Sequence, residues 1–294
     1  MKRTIICFVA LIASGLPALA SSLGTATRSV IPSEIQQIIN VDYRRMKSSE
    51  TAMAMKAKLI PPNMKQFEDA LREIGVVPEQ DLEQITLAAF RTKDHGIQTI
   101  GVAQGTFPRK TIRQRLVKQS IKGSKVADAV VYAMAGGMQM TFLDDWTMLF
   151  GPELAMEAAL DARDNSAHSL NANGDVTDMI ASVDQGTIWS VLDKEGTQNM
   201  LRSVLGPASS LAEYDSVKKS VKSSRYTMDF DHGVDFNLNV ITSDGMTAAT
   251  LSSLLKAGIL LKKMDASAPE KKALEGTSVD SDSGKLIVHF RTDD

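Results

Sequence analysis

Residues 84–103 read QITLAAFRTKDHGIQTIGVA. Two runs of mainly apolar residues flank Lys93-Asp94-His95-Gly96, a combination of residue types that favours a tight turn. The pattern predicts strands over 84–90 and 97–103 that are joined as a hairpin. Residues 225–241, RYTMDFDHGVDFNLNVI, repeat the pattern around Asp231-His232-Gly233 and predict a second hairpin.

The two hairpins indicate an internal duplication. One fixed offset places Asp94-His95-Gly96 on Asp231-His232-Gly233, and the same offset places the helix start predicted at Pro108-Arg109 on Gly245-Met246. The order of strand, turn, strand and helix is therefore the same in both halves. The alternative explanation is a coincidence between two ordinary meanders.

We therefore expect an α+β fold, built as a tandem duplication of a mostly antiparallel sheet unit that is backed by helices. The first unit is predicted over residues 33–165 and the second over residues 178–294. Residues 166–177, which include Asn171-Ala172-Asn173-Gly174-Asp175, are predicted to link them.

The remaining elements are predicted from apolar periodicity and from the residues that start or stop helices. Helices are predicted from Pro32-Ser33-Glu34 to Met46, over 48–59, after Pro62 to Ile74, and over 109–119, 152–160, 197–205 and 246–263. Further strands are predicted over 129–134, 138–143, 146–150, 178–192, 277–279 and 285–290.

The N-terminus has the pattern of a cleavable signal peptide over residues 1–20. Lys2 and Arg3 precede an apolar run over 5–16, and Ala18-Leu19-Ala20 matches the small-x-small site of signal peptidase. Cleavage is expected before Ser21, which predicts a periplasmic or secreted protein. An uncleaved N-terminal anchor is the alternative, although the apolar run is short for a membrane span.

The mature chain is expected to begin with a flexible leader over residues 21–32, which is rich in Ser, Thr and Gly. No integral membrane segment is expected after signal cleavage. Cys7 is the single cysteine and lies inside the signal, so the mature chain would be free of cysteine. This excludes thiol catalysis, zinc–thiolate sites and iron–sulfur clusters.

The charge balance argues against a nucleic-acid partner. The whole chain has a formal net charge of −2, and loss of Lys2 and Arg3 makes the mature chain more negative. Nucleic-acid binding requires a concentrated basic surface. The basic runs at 109–118 and 218–222 are interpreted as solvated helix faces.

No catalytic, cofactor-binding or metal-binding residue is predicted, and no cofactor is expected. The four histidines, His95, His168, His232 and His289, are interpreted as structural. The sequence has no Gly-x-Ser-x-Gly elbow and no glycine-rich phosphate loop. The alternating oxygen donors from Asn171 to Asp175 suggest a calcium loop, but Ser169 and Ile180 stand where an EF-hand requires acids.

Two segments resemble a family of uncharacterised exported acidobacterial proteins, whose domain has no known function. They are Ile31-Pro32-Ser33 through Asp42-Tyr43-Arg44, and Ala103-Gln104-Gly105-Thr106-Phe107-Pro108. The resemblance implies export and a repeated α+β layout. It supplies no catalytic residue.

Two functional hypotheses remain open. The first is an exported, non-enzymatic envelope protein that binds an unknown protein or polymer partner through a sheet face or the groove between the repeats. Met138, Met140 and Met148 would help such a surface adapt, unless they belong to the core. The second is an envelope hydrolase or transferase with a carboxylate-based site.

Overall fold

The computed structural model describes residues 23–59, 62–210 and 212–292, so the signal peptide predicted over residues 1–20 lies outside it. The described residues form an antiparallel sheet of twelve strands. The strands are β1 (Ile35–Asp42), β2 (Leu82–Thr92), β3 (Gly96–Gly105), β4 (Gly123–Val126), β5 (Ala129–Ala133), β6 (Met138–Phe142), β7 (Thr147–Pro152), β8 (Ile188–Leu192), β9 (Val221–Asp229), β10 (Val234–Thr242), β11 (Thr277–Asp282) and β12 (Lys285–Thr292).

Helices pack on this sheet, which confirms the α+β class. They are α1 (Thr25–Val30), α2 (Tyr43–Lys47), α3 (Glu50–Leu59), α4 (Pro62–Ile74), α5 (Pro78–Asp81), α6 (Arg109–Lys118), α7 (Glu153–Asp164), α8 (Gly174–Ala181), α9 (Lys194–Leu205), α10 (Ala212–Val217), α11 (Gly245–Asp265) and α12 (Ala268–Glu275). Most of the predicted helices are present, with boundaries that differ by a few residues.

The strand order is β11-β12-β10-β9-β8-β1-β2-β3-β7-β6-β5-β4. From the central β1–β8 pair outward, one side runs β2, β3, β7, β6 and the other runs β9, β10, β12, β11. Asp94-His95-Gly96 lies at the turn between β2 and β3, and Asp231-His232-Gly233 lies at the turn between β9 and β10. This order is compatible with the tandem duplication, which itself remains a prediction.

The two faces of the sheet are covered differently. On one face, α4 and α6 pack on the first half of the sheet, and α9, α10 and α11 pack on the second half. On the opposite face, α1, α7 and α8 pack on β1, β2, β3 and β8, and no residue of β9 to β12 belongs to that core. One half of the sheet is therefore covered on both faces and the other half on one.

The helix predicted from Pro32-Ser33-Glu34 is wrong, because residues 35–42 form strand β1 at the centre of the sheet. A bulge between Ile35 and Gln37 shifts the register against β2. The bulge places Ile35 and Ile38, three residues apart, in the same core. Such spacing on a strand imitates helical periodicity.

Two other expectations also fail. Residues 25–30 of the predicted flexible leader form α1, and Val30 is fully buried. Residues 178–180, predicted to begin a strand, lie in α8 and precede β8. In the predicted linker, the backbone N–H of Leu170 donates to Ile31 O at 2.7 Å, which ties this segment to the core.

Among residues 23–59, 62–210 and 212–292, no helix has both the length and the apolar character needed to cross a membrane.

Candidate binding surface

The uncovered half of the sheet presents a largely polar surface, which we call the open face and in which Ile287 lies opposite Asn239. Its side chains alternate along β9, β10 and β12 with the side chains that pack on α9, α10 and α11, as the pleat of a strand requires. Arg225 lies opposite Asn239, Thr227 lies opposite Asn237, and Asn237 lies opposite His289. These five side chains are half-buried among their neighbours in the sheet.

Hydrogen bonds hold part of the open face in place. The Asn237 Nδ2 donates to Asp235 Oδ1 at 2.6 Å, and His289 Nε2 lies 3.4 Å from the same oxygen. Asn237 and Asn239 are two residues apart on β10, and Asn239 lies opposite Arg225, so all three belong to the same face of the sheet. The surface therefore offers donors and acceptors in a fixed arrangement on a rigid element.

A cleft of about 500 Å³ lies beside α8, at the boundary between the covered half of the sheet and the open face. Four carboxylates line it, from Glu34, Asp175, Asp178 and Asp193, together with the two cations of Arg91 and Lys222. Its negative charge exceeds its positive charge, so the cleft favours cationic or hydrogen-bond-donating groups.

Arg91 is held firmly at the edge of this cleft. Its Nη2 lies 2.7 Å from Asp193 Oδ2 and 2.9 Å from Glu195 Oε2. Burial alone would lower the pKa of the guanidinium, but the hydrogen bonds to both carboxylates raise that pKa above its ordinary value. Asp193 also accepts from Gly196 N at 2.8 Å and caps α9, so its carboxylate has a structural role.

The oxygen donors of residues 171–175, which suggested a calcium loop, include a side chain with a structural role. Asn173 Oδ1 accepts from Val176 N at 3.1 Å and caps α8, while its Nδ2 donates to Ser33 O at 2.9 Å. Within the described ranges, no group of three or more His, Cys, Asp or Glu side chains is placed to hold a metal ion.

The four histidines lie apart in the fold. His95 and His232 are in different hairpin turns, and His232 adopts a φ of 61°, in the left-handed region. His168 Nδ1 lies 2.7 Å from Asp161 Oδ2 at the surface. Of the four, only His289 belongs to the open face.

A buried polar network, which the sequence did not predict, lies under α3 and α4. The Tyr43 hydroxyl donates to Glu68 Oε1, and Lys56 Nζ lies 2.9 Å from the same oxygen and 3.0 Å from Glu79 Oε1. Arg72 Nη2 lies 2.6 Å from Glu79 Oε1. The members are distant in sequence and show no shared motif, so no sequence signal could have brought them together.

Burial and charge shift the pKa values in this network. Desolvation, followed by the hydrogen bond to Glu68, raises the pKa of Tyr43 far above its ordinary value. Burial alone would raise the pKa of Glu79, but hydrogen bonds from Arg72 and Lys56 outweigh it and lower the pKa to about 2. Perturbed groups of this kind mark either catalytic sites or structural ion-pair networks. Tyr43, Lys56 and Glu68 are buried and satisfy one another's polar groups, so we interpret the network as a structural brace between α2, α3 and α4.

The methionines suggested for an adaptable surface belong to the core. Met140 and Met148 are fully buried between the sheet and the helices α4 and α6, and Met138 packs against the same cluster. Asp144 and Asp145 also have local partners: Asp144 Oδ1 accepts from Trp146 N at 2.8 Å, and Asp145 pairs with Arg109.

Comparisons with known proteins reveal a likeness of fold. No protein-family model matches the sequence, and no curated protein matches it significantly. The chain resembles the solved "Structure of crystal form I of TP0453", with a TM-score of 0.52, 8% identity and 90% of each chain covered. "Structure of crystal form IV of TP0453" gives a TM-score of 0.45 and 7% identity, covering 88% of this chain and 89% of that one.

Proposed function

We propose that the protein is an exported, non-enzymatic protein of the cell envelope that binds a partner on its open face. The observation that carries the proposal is the unequal covering of one sheet. Helices α1, α7 and α8 cover the first half, while Arg225, Thr227, Asn237, Asn239 and His289 occupy the equivalent side of the second half. A polar sheet face can exchange side-chain hydrogen bonds with a partner that lies across it.

The composition of the open face restricts the partner. Its amide, hydroxyl, imidazole and guanidinium groups favour a polar protein segment or polymer with exposed hydrogen-bonding groups. Asp235 and the neighbouring acidic cleft oppose a strongly anionic partner at this place.

Binding can be tested with isolated envelope material. Arginine at Thr227 or Asn237 would place a long charged side chain across the open face, whereas Ser203→Arg makes the same change on the exposed surface of α9. In sedimentation with isolated peptidoglycan and with the envelope protein fraction, we expect T227R and N237R to lose at least tenfold in affinity. S203R should stay within about twofold of the wild type. Equal binding by all three variants would exclude the open face.

Export has a separate test. Intact-mass analysis of the protein from its native host should give a mature chain that begins at Ser21. Recovery of the chain with Met1 still attached would contradict export, without bearing on whether the open face binds.

The acidic cleft supports a second candidate, an envelope hydrolase or transferase. Glu34, Asp175 and Asp178 line the cleft beside the open face, and carboxylates are the usual acids and bases of such enzymes. The mature protein should be screened for turnover of peptidoglycan, glycans, esters and peptides. Turnover that is abolished by E34Q, D175N or D178N in a folded protein would establish the enzyme and overturn the non-enzymatic proposal.

A further inference from the structure

The most basic segment of the chain lies far from the open face, on the opposite side of the sheet. Residues 109–125 carry seven cations and no acid, in a protein whose net charge is −2. The cations are Arg109, Lys110, Arg113, Arg115, Lys118, Lys122 and Lys125. Helix α6 buries Ile112 and Leu116 against the sheet and presents the cations outward.

The arrangement of charge on α6 is unfavourable for the helix itself. Arg109 and Lys110 lie in the first turn, where the helix dipole favours acids, and no acidic residue is present there. Arg109 and Arg113 are four residues apart and therefore repel each other on one face. Asp145 pairs with Arg109 and offsets part of this charge, and an anion bound beside Lys110 and Arg113 would offset the rest.

Two cavities flank these cations. The first, of about 420 Å³, is lined by Arg109, Lys110 and Arg113 of α6 and by the rings of Tyr132 and Phe142. The second, of about 410 Å³, is also lined by Arg109 and Lys110 and includes Trp146, whose surface is 60% exposed. Cationic groups and aromatic rings therefore line the same concave surfaces.

Not all of this charge is neutralised within the protein. The Arg109 guanidinium pairs with Asp145 and lies 5.2 Å from the centre of the Phe142 ring, which fixes its position. Lys110 and Arg113 form no ion pair within residues 23–59, 62–210 and 212–292. Their charges remain available to a ligand.

We propose that this surface is a second binding site, for a small organic anion that carries a phosphate or carboxylate on a ring. Lys110 and Arg113 would bind the anionic group, and Tyr132 and Phe142 would contact the ring. A merely solvated helix face would explain the charges, but it would not require aromatic-lined cavities beside them. The site is independent of the open face.

Phenyl phosphate is a suitable probe, since it carries both an anionic phosphate and an aromatic ring. Inorganic phosphate and phenol, which each carry one of these features, are the comparison ligands. Calorimetry measures the affinity, and the fluorescence of Trp146 reports on the second cavity. Trp189 is fully buried in the other core and serves as an internal reference. The test variant is K110Q/R113Q. The matched control is K118Q/K122Q, which removes the same charge from residues that line neither cavity.

We expect phenyl phosphate to bind the wild-type protein at least tenfold more tightly than either inorganic phosphate or phenol does. K110Q/R113Q should lose at least tenfold in affinity, and K118Q/K122Q should lose less than threefold. Equal losses in the two variants would mean that diffuse charge attracts the probe, and would overturn the proposal. Absence of binding to the wild type, or equal affinity for phosphate alone, would overturn it as well.

Discussion

At the scale of single residues, the network of Tyr43, Lys56, Glu68 and Glu79 pairs charges that are largely removed from water. The side chains of Lys56 and Glu68 are 11% and 9% exposed, so each charge depends on the other for its solvation. Removing one partner of a buried ion pair leaves an uncompensated charge. This costs more folding free energy than replacing both partners with apolar residues.

We predict that Lys56→Ala lowers the free energy of unfolding by about 3 kcal/mol, because Glu68 loses its counter-charge. Urea unfolding monitored by circular dichroism measures the change. Lys118→Ala removes an equivalent charge from the exposed surface of α6 and should change the value by less than about 0.5 kcal/mol. Equal effects of the two substitutions would contradict the assignment of the network as a brace.

The same network makes stability depend on acid pH. Glu79 has a pKa lowered from 4.5 to about 2 in the folded protein. A group with a lowered folded pKa stabilises the fold above its unfolded pKa and loses that contribution as pH falls through the folded value. The window therefore runs from about pH 4.5 down to about pH 2.

We predict that wild-type protein loses more unfolding free energy than Glu79→Gln as the pH falls across this window. The difference between the two proteins isolates Glu79 from the other carboxylates. Glu157→Gln, at an exposed position of α7, is the matched control and should retain the wild-type slope. A Glu79→Gln slope identical to that of the wild type would refute the prediction.

At the scale of elements, the packing of α4 on the sheet depends on a glycine in β3. Gly101 lies opposite Phe150 of β7, and the Phe150 ring occupies the space that a side chain at residue 101 would take. That ring stacks on Phe67 of α4 with the ring centres 3.3 Å apart. The missing side chain thus lets an aromatic pair fill the layer between sheet and helix.

We predict that Gly101→Ala destabilises the protein by about 1–3 kcal/mol, because the added methyl group displaces Phe150 from its stacking position. Gly258→Ala is the control: residue 258 lies inside α11 with open space around it, so alanine should stabilise the helix by about 0.5–1 kcal/mol. Thermal unfolding of both variants measures the two effects. A Gly101→Ala protein as stable as the wild type would show that the layer adapts freely.

At the scale of the whole molecule, the two halves share one sheet and, where they meet, one of its hydrophobic clusters. β1 pairs with β8 along five residues, and Trp189 and Val191 of β8 pack in the same cluster as Ile35 and Ile38 of β1. Neither half can separate without exposing this cluster to water.

We predict that the protein unfolds in a single cooperative transition, because the β1–β8 pair and the cluster around it join the two halves. In a Trp146→Phe variant, the fluorescence of Trp189 reports on the centre of the sheet, and far-ultraviolet circular dichroism reports on all elements. The two urea transitions should coincide. Separate midpoints would show that the predicted duplicated units are stable on their own.

Periodicity and turn chemistry determined much of this protein from its sequence. The hairpins around Asp94-His95-Gly96 and Asp231-His232-Gly233, the α+β class and most helices follow from local patterns, because alternation and capping act between neighbours in the chain. Failures occurred where tertiary structure overrode those patterns. The bulge in β1 gave its apolar residues a spacing that is typical of a helix. Pairing with β8 nevertheless places this segment as a strand at the centre of the sheet.

Only the tertiary structure decided where the two proposed binding surfaces lie. The open face results because α1, α7 and α8 cover only the other half of the sheet. This long-range arrangement is not encoded in any local pattern. The cations of α6 were visible in the sequence and were interpreted as a solvated helix face. The structure places Tyr132, Phe142 and Trp146 beside them, which is the basis for proposing a binding site there. Local propensity is set by neighbours in the chain, whereas a binding surface is set by residues that only folding brings together.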